Sequence, residues 1–275
     1  MQGHNFCTYQ QNEGKEFMTE QRQSQVFIGT SNIVVPGTKQ SFPEAFQQKS
    51  RLHFYSSLFN SLEINSSFYK VPMLSTFEKW SCDVPEDFRF TLKIWREISH
   101  VKELKIELSN IHHFLKAASG IAQKKGCLLL QFPGKITLEY YSQVESILET
   151  LHQQDSPLKW PVAVEFRNPS WHVSESFELL DEYGATMVLH DQPKARNAIF
   201  NNRASAVYLR FHGPEGNYRG SYTIDYLEEQ AERIIKWKAN GKVVYAYFNN
   251  TMGSALQNAQ SLQQLVGTKI LPPRS

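Results

Sequence analysis

From Val26 onward, short apolar runs recur along the chain, and between them the apolar spacing switches to that of a helix. Extended segments are read at Val26–Thr30, Leu62–Asn65, Phe88–Lys93, Cys127–Phe132, Val162–Phe166, Thr186–Leu189, Val207–Phe211 and Val243–Phe248. Helical spacing fills the intervals at Leu52–Phe59, Thr76–Cys82, Leu104–Lys124, Tyr140–Leu151, Ser174–Tyr183, Tyr226–Lys238 and Ser254–Val266. Asp191–Ser205 lacks that spacing, so the sixth unit is expected to be irregular. Repeated strand–helix alternation predicts the α/β class and a single (β/α)8 TIM-type barrel. An open doubly wound sheet is the alternative. It normally carries a glycine-rich phosphate fingerprint after the first strand, and Gly29-Thr30-Ser31-Asn32 is not one. Residues 1–25, dominated by Gln, Asn, Glu and Ser, are expected to form a flexible polar leader. The barrel domain is expected over 26–267, and 268–275 as a C-terminal tail.

Strand side chains alternate between two faces, so parity can be read along each run. Leu62 and Ile64 share one face and Glu63 and Asn65 the other. By the same count Thr91 and Lys93, then Ala163, Glu165 and Arg167, then Tyr208, Arg210 and His212, face inward, away from the helices. The inward charges gather where the strands end. In a barrel those ends form one mouth, where active sites of this architecture sit.

Ionised groups in a low-dielectric interior must pair, stay hydrated or meet a ligand. An internal salt-bridge lattice of Glu63, Glu165, Lys93, Arg167 and Arg210 is the bland reading of the pattern. A ligand site is the sharper one, because the charges cluster at strand ends. Glu165 is expected to be a general base with Glu63 as a second carboxylate, while Lys93, His212 and Arg210 stabilise developing negative charge. Ligand contacts are expected from Asn65, Tyr69, Arg96, Gln131, Arg167, Trp171, Asp191, Tyr218, Arg219, Asn249 and Asn250. At the mouth, Lys93, Arg96, Arg167, Arg210 and Arg219 outnumber Glu63, Glu165 and Asp191, which points to a small anionic ligand such as a phosphate or carboxylate. A sugar-like ligand also fits two facing carboxylates. The glycines of His212–Gly220 are read either as a phosphate cradle or as a plain mobile loop.

Competing functions are metal-assisted phosphoester or nucleic-acid hydrolysis, and a non-catalytic ligand- or partner-binding barrel. Glu63, Glu165, Asp191, His190 and His212 include metal-ligand types, but no local ligand spacing joins them and metal is not favoured. No organic cofactor signature is present. The oligomeric state is left open.

Composition narrows the picture further. Of 275 residues, 41% are hydrophobic and 13% aromatic, which argues against disorder for most of the length. A net charge of +2 is too mild to favour a nucleic-acid partner. Three cysteines without a close pair exclude a disulfide framework, and Cys127 in its apolar run reads as a core thiol. No apolar stretch is long enough to span a membrane, and a reducing cytoplasm is the expected location.

Several motifs together resemble the YecE-like family, catalogued as domain of unknown function 72. They include Glu63-Ile64-Asn65-Ser66-Ser67-Phe68-Tyr69, Arg96-Glu97-Ile98-Ser99-His100 and Leu130-Gln131-Phe132-Pro133. Val164-Glu165-Phe166-Arg167 with Ser170-Trp171, Tyr208 with Arg210 and His212-Gly213, Tyr218-Arg219-Gly220, and Tyr247-Phe248-Asn249-Asn250 continue the series. The resemblance runs from about Phe27 to Gly267 and implies a TIM-barrel-type fold with a site at the strand ends, but no reaction. The chain departs from the family after Ser31, where Asn32-Ile33-Val34-Val35 stand in place of glycine and aromatic residues.

Overall fold

The computed structural model of the chain describes residues 25–153 and 159–270. The expected leader up to residue 24 and the last five residues of the expected tail lie outside them. The strands are β1 (Val26–Thr30), β2 (Ser61–Ile64), β3 (Arg89–Lys93), β4 (Lys125–Phe132), β5 (Val162–Phe166), β6 (Thr186–Met187), β7 (Leu189–His190), β8 (Ala206–Phe211) and β9 (Val243–Phe248). They form two parallel sheets, one ordered β1-β9-β8-β7 and the other β2-β3-β4-β5-β6. The α/β class is therefore as expected, and every ladder is parallel.

The two sheets meet along two seams. At one, only Val188 separates β6 from β7, and its N–H reaches Val164 O at 2.9 Å. A single extended passage thus hands over from one sheet to the other. At the other, β1 runs beside β2, Ser31 and Glu63 form a parallel bridge, and Asn32 N–H donates to Glu63 O at 2.8 Å. Side chains complete this second seam. Asn60 Oδ1 accepts from Ile28 N–H at 3.1 Å while its Nδ2 donates to Val26 O at 2.9 Å. Tyr55 OH accepts from Thr30 N–H at 2.8 Å and donates to Ser61 O at 3.1 Å. Gly29 permits the approach, because a Cβ there would lie 2.1 Å from Ser61 O.

Helices α1 (Arg51–Leu58), α3 (Leu74–Cys82), α5 (Ser109–Ala118), α6 (Tyr141–His152), α7 (Ser174–Glu182), α8 (Ile224–Ala239) and α9 (Ala255–Ile270) follow the strands, with single-turn α2 (Ser66–Tyr69) and α4 (Arg96–Ser99) just past β2 and β3. Their starts are locally encoded. Ser50 caps α1 by accepting from His53 N–H, and Thr223 caps α8 by accepting from Tyr226 N–H.

Two helix boundaries differ from the sequence pattern. The helix expected over Leu104–Lys124 begins only at Ser109, because Glu103 and Leu104 adopt φ of 56° and 47°, where no right-handed helix can run. After Ala118 it tightens into a 3₁₀ stretch, where a Cβ on Gly120 would lie 2.6 Å from Leu74 O of α3. At the end of the chain α9 continues past Val266 to Ile270, taking in the first residues assigned to the tail. The sixth unit carries only a 3₁₀ turn, Pro193–Ala195. Asparagines satisfy its backbone instead: Asn201 Oδ1 accepts from Met187 N–H at 2.9 Å, and Asn197 Nδ2 donates to Val188 O at 3.0 Å.

The apolar residues divide by strand parity. Leu62, Ile64, Phe90, Leu92, Leu128, Leu130, Val164, Val207 and Leu209 pack outward into one large core with the helices. Phe27, Cys127, Leu129, Ala163, Ala206, Tyr208, Tyr245 and Tyr247 face one another from both sheets in a second, smaller core. Full burial of a large apolar side chain is worth roughly 1.5–3 kcal/mol, so the outer core carries most of the stability. Above the inner core lies a belt of hydroxyls, in which Tyr247 OH meets both Ser61 Oγ and Thr91 Oγ1.

Candidate functional site at the strand ends

Counted along β8, the inward side chains run from Ala206 through Tyr208 and Arg210 to His212, from apolar base to ionic top. Arg210 is the hub. Its Nε and Nη2 donate to the two oxygens of Glu63 at 3.0 and 2.8 Å, a bidentate fork that crosses from one sheet to the other. Its Nη1 donates to Glu165 Oε2 at 2.6 Å. Glu165 also receives Arg167 Nε on Oε1. Glu63 is filled further by the hydroxyls of Ser31 and Tyr208. All three central groups, Glu63, Glu165 and Arg210, are almost wholly buried.

Burial alone would raise both carboxyl pKa values, yet both lie below the ordinary range, because Arg210 offsets burial at Glu63 and Arg167 with Arg210 does so at Glu165. Glu165 is held ionised between two guanidinium groups, and a carboxylate so stabilised is a weak proton acceptor.

A second chain of bonds reaches His212. Asp191 Oδ1 accepts from both His212 N–H and Nδ1–H, at 2.8 and 3.1 Å, and Asp191 Oδ2 accepts from Tyr222 OH. The imidazole Nε2 faces two donors, Arg167 Nη2 at 3.0 Å and Arg210 Nη1 at 3.3 Å, so it carries the lone pair. Burial and the two arginines lower the His212 pKa against the opposing pull of Asp191 and Glu165.

Lys93 occupies the same end of the neighbouring sheet. Its Nζ donates to Gln131 Oε1 at 2.8 Å and lies 4.2 Å from the centre of the Phe68 ring. Burial, then Arg210, brings its pKa down to about 8 despite Glu165 and Glu63. His100 packs edge-on against Phe68 at 4.7 Å. Its pKa falls to about 4, first through burial and then through the positive charges of Lys93, Arg96, Lys135 and Arg167. Residues from three different strand ends thus bring positive potential to one place.

Glu63, Glu165, Lys93, Gln131, Arg167, Asp191, Arg210 and His212 are brought together as the sequence pattern implied. Tyr218 joins them, its ring edge-on to His212 at 5.7 Å on a backbone held at φ 66°. Asn65 sits beside the β1–β2 seam, with N–H donating to Asn32 Oδ1 and its own Oδ1 buried without a hydrogen-bond partner among the described residues.

Others lie apart. Trp171 stacks on the outward-facing Phe166 at 4.2 Å and donates from Nε1 to Ile136 O, so it is a core residue and not a ligand contact. Asn250 is fully buried, its Nδ2 tying down Gly220 O and Asn258 Oδ1. Asn249 only extends the β8–β9 ladder, through its N–H to Phe211 O. Tyr69, Arg96 and Arg219 are exposed. In the loop after β8 the backbone N–H groups of Gly213, Gly216, Tyr218 and Arg219 all donate within the chain, to Tyr222 OH, Gly213 O, His212 O and Asn217 Oδ1. Those four N–H groups are therefore already committed within the chain.

The inner ionic set balances, with Glu63, Glu165 and Asp191 against Lys93, Arg167 and Arg210. Any positive excess therefore resides on the exposed Arg96, Lys135 and Arg219. Among the described residues, no cluster of three or more His, Cys, Asp or Glu is arranged to hold a metal ion. Nor is any helix among them long and apolar enough to cross a membrane. Ser31, Tyr222 and His100 were not anticipated as site residues. For Ser31 a period-two count carried on from Gly29 would have found it. Tyr222 and His100 reach the site through loop paths that strand parity does not describe.

A family model described as "Protein of unknown function DUF72" matches residues 27–275. The UPF0759 protein YunF of Bacillus subtilis is 23% identical over 256 residues, covering 82% of this chain and 89% of its own. A crystal structure of a DUF72 family protein from Enterococcus faecalis superposes with a TM-score of 0.72 at 22% identity, over 89% of this chain and 98% of that one. One from Thermotoga maritima gives a TM-score of 0.69 at 25% identity, over 88% of this chain and 99% of that one.

Proposed function

The chain belongs to the DUF72 family of proteins of unknown function, and from that premise we propose that it is an acid–base enzyme for a small ligand bearing a phosphate or carboxylate. In this reading the two sheets act as one closed (β/α)8 barrel, residues 26–267 form its single domain, and the ligand enters at the carboxyl ends of the strands. The two seams, bridged by Asn60, Tyr55 and the Val188 crossing, support the closed ring.

The observation that carries the ligand class is the pair Lys93 and Arg167: the first bonds only a neutral amide oxygen, and the second keeps guanidinium donors over after its bonds to Glu165 and His212. The buried carboxylates Glu63 and Glu165 already have arginine partners, and the charges of Lys93, Arg96, Lys135 and Arg167 all lower the His100 pKa. Anion binding is the use that cationic donors left over at such a place serve. Arg167 is the principal fork. It is partly exposed, and its bonds to Glu165 and His212 leave guanidinium donors over for a ligand.

Glu63 and Glu165 act in this scheme as the anchors of Arg210. Proton transfer falls to His212, set in one tautomer by Asp191 and Tyr222, and to Lys93. Titration with inorganic phosphate, followed by 31P NMR, tests the reading. Saturable binding is expected in the wild-type protein and a loss of about tenfold or more in affinity in Arg167→Met, the factor that 1.4 kcal/mol represents. Absence of binding to the wild type, or equal binding by Arg167→Met, would refute it.

A further inference from the structure

One cation of the balanced ionic set stands outside its pairs. Glu63 gives its oxygens to Arg210, Ser31 and Tyr208, Glu165 gives its own to Arg210 and Arg167, and Asp191 is taken by His212 and Tyr222. Lys93 belongs to none of these pairs. Among the described residues no carboxylate comes within ion-pairing distance of its Nζ. Its hydrogen bond goes to a neutral amide oxygen, that of Gln131, and its other close partner is the face of Phe68. An ammonium group deprived of a counter-ion, half-buried at a cationic rim, is displaced toward the free amine. A free amine is the form in which a lysine condenses with a carbonyl.

We propose that Lys93 is a covalent nucleophile, condensing through Nζ with the carbonyl carbon of a small anionic aldehyde or ketone. The anionic half of that substrate rests on the reading of the mouth given above; the lysine chemistry does not. In the first step the Nζ lone pair forms the C–N bond, and one amine proton passes to the former carbonyl oxygen, giving a carbinolamine. In the second the hydroxyl leaves with a proton from solvent as water, and the nitrogen lone pair closes the C=N bond of a protonated imine. Gln131 Oε1 remains the acceptor for the N–H that the imine keeps. The positive charge created is one that Glu165 and Glu63 favour, since both pull the Lys93 pKa upward against burial and arginine. That pKa, about 8, leaves an appreciable fraction of free amine near neutrality.

Reductive trapping tests this directly. The full chain is incubated with sodium cyanoborohydride and either glyceraldehyde 3-phosphate or neutral glyceraldehyde, and the products are read by intact mass and peptide mapping. The hydride adds to the imine carbon, so each adduct weighs the carbonyl compound less one oxygen atom. A single adduct on Lys93 is expected, formed about tenfold or more faster with the phosphorylated aldehyde, and lost in both Lys93→Met and Lys93→Arg. The arginine variant keeps the charge and serves where the methionine variant fails to fold. Labelling spread over surface lysines without preference for Lys93, or unchanged in Lys93→Arg, would overturn the proposal. Equal rates with the two aldehydes would uphold the nucleophile and remove the anion reading. Phosphate binding at the mouth without any Lys93 adduct would do the reverse.

Discussion

His190 illustrates how single residues at the site couple to pH. Its Nε2 donates to Phe166 O at 3.1 Å and its Nδ1 accepts the Gln192 N–H, so the ring is committed in its neutral form at 4% exposure. Burial, partly opposed by Glu165, lowers its pKa from 6.5 to about 4. A histidine held neutral in the fold lets the unfolded chain bind the proton first. Stability is therefore full above the unfolded value and declines as pH falls from 6.5 toward about 4, where the folded ring also protonates and the loss levels off. The shift corresponds to a loss on the order of 3 kcal/mol. The depressed carboxylates Glu63 and Glu165 act lower, because their contribution is present above the unfolded carboxyl pKa and lost as pH drops through their folded values. Urea midpoints measured from pH 7 to pH 4 should fall in wild type and fall less in His190→Gln; identical slopes would dismiss the account. The residues that form the lattice were legible because period-two counting fixes which face a strand residue occupies. Their partnerships were not, since parity places Glu165 inside but cannot say that two guanidinium groups will hold its proton off.

At the scale of elements, the packing of α3 depends on one buried cation. Lys124 Nζ donates at 2.7 Å to Ser81 O in the last turn of α3 and at 2.7 Å to Val84 O just beyond it. A lysine here caps the helix end and suits the negative end of its dipole. Lys124→Met would strip both carbonyls of that donor in a buried place, a cost of about 1–3 kcal/mol, measurable as a lower urea midpoint with an unchanged slope. An unshifted midpoint would show that water replaces the ammonium at no cost. The strands were readable as bounded apolar runs, and most helices as amphipathic spacing between them. The misjudged helix before β4 shows the limit: its spacing reads as helical from Leu104, but Leu104 stands at positive φ and the helix begins only at Ser109. Trp171 failed for a related reason. Proximity to a strand end in sequence places it near the mouth, while its ring turns outward onto Phe166.

For the whole molecule the decisive places are the two seams. Strand–helix alternation could be counted in advance, but the means by which β1 meets β2 could not, because an asparagine and a tyrosine supply hydrogen bonds that a regular ladder would draw from the backbone. Asn60→Ala should lower stability by about 1–3 kcal/mol and speed hydrogen exchange at the Ile28 amide; exchange as slow as in wild type would mean that another acceptor takes over. The same two side chains have a consequence for how copies of the chain treat one another. A strand margin with bare N–H and C=O groups is a template onto which a second molecule can zip. Asn60 takes the Ile28 N–H and the Val26 carbonyl and Tyr55 the Thr30 N–H on the margin of β1 that its own sheet leaves unpaired, and they thereby withhold those groups from a second molecule.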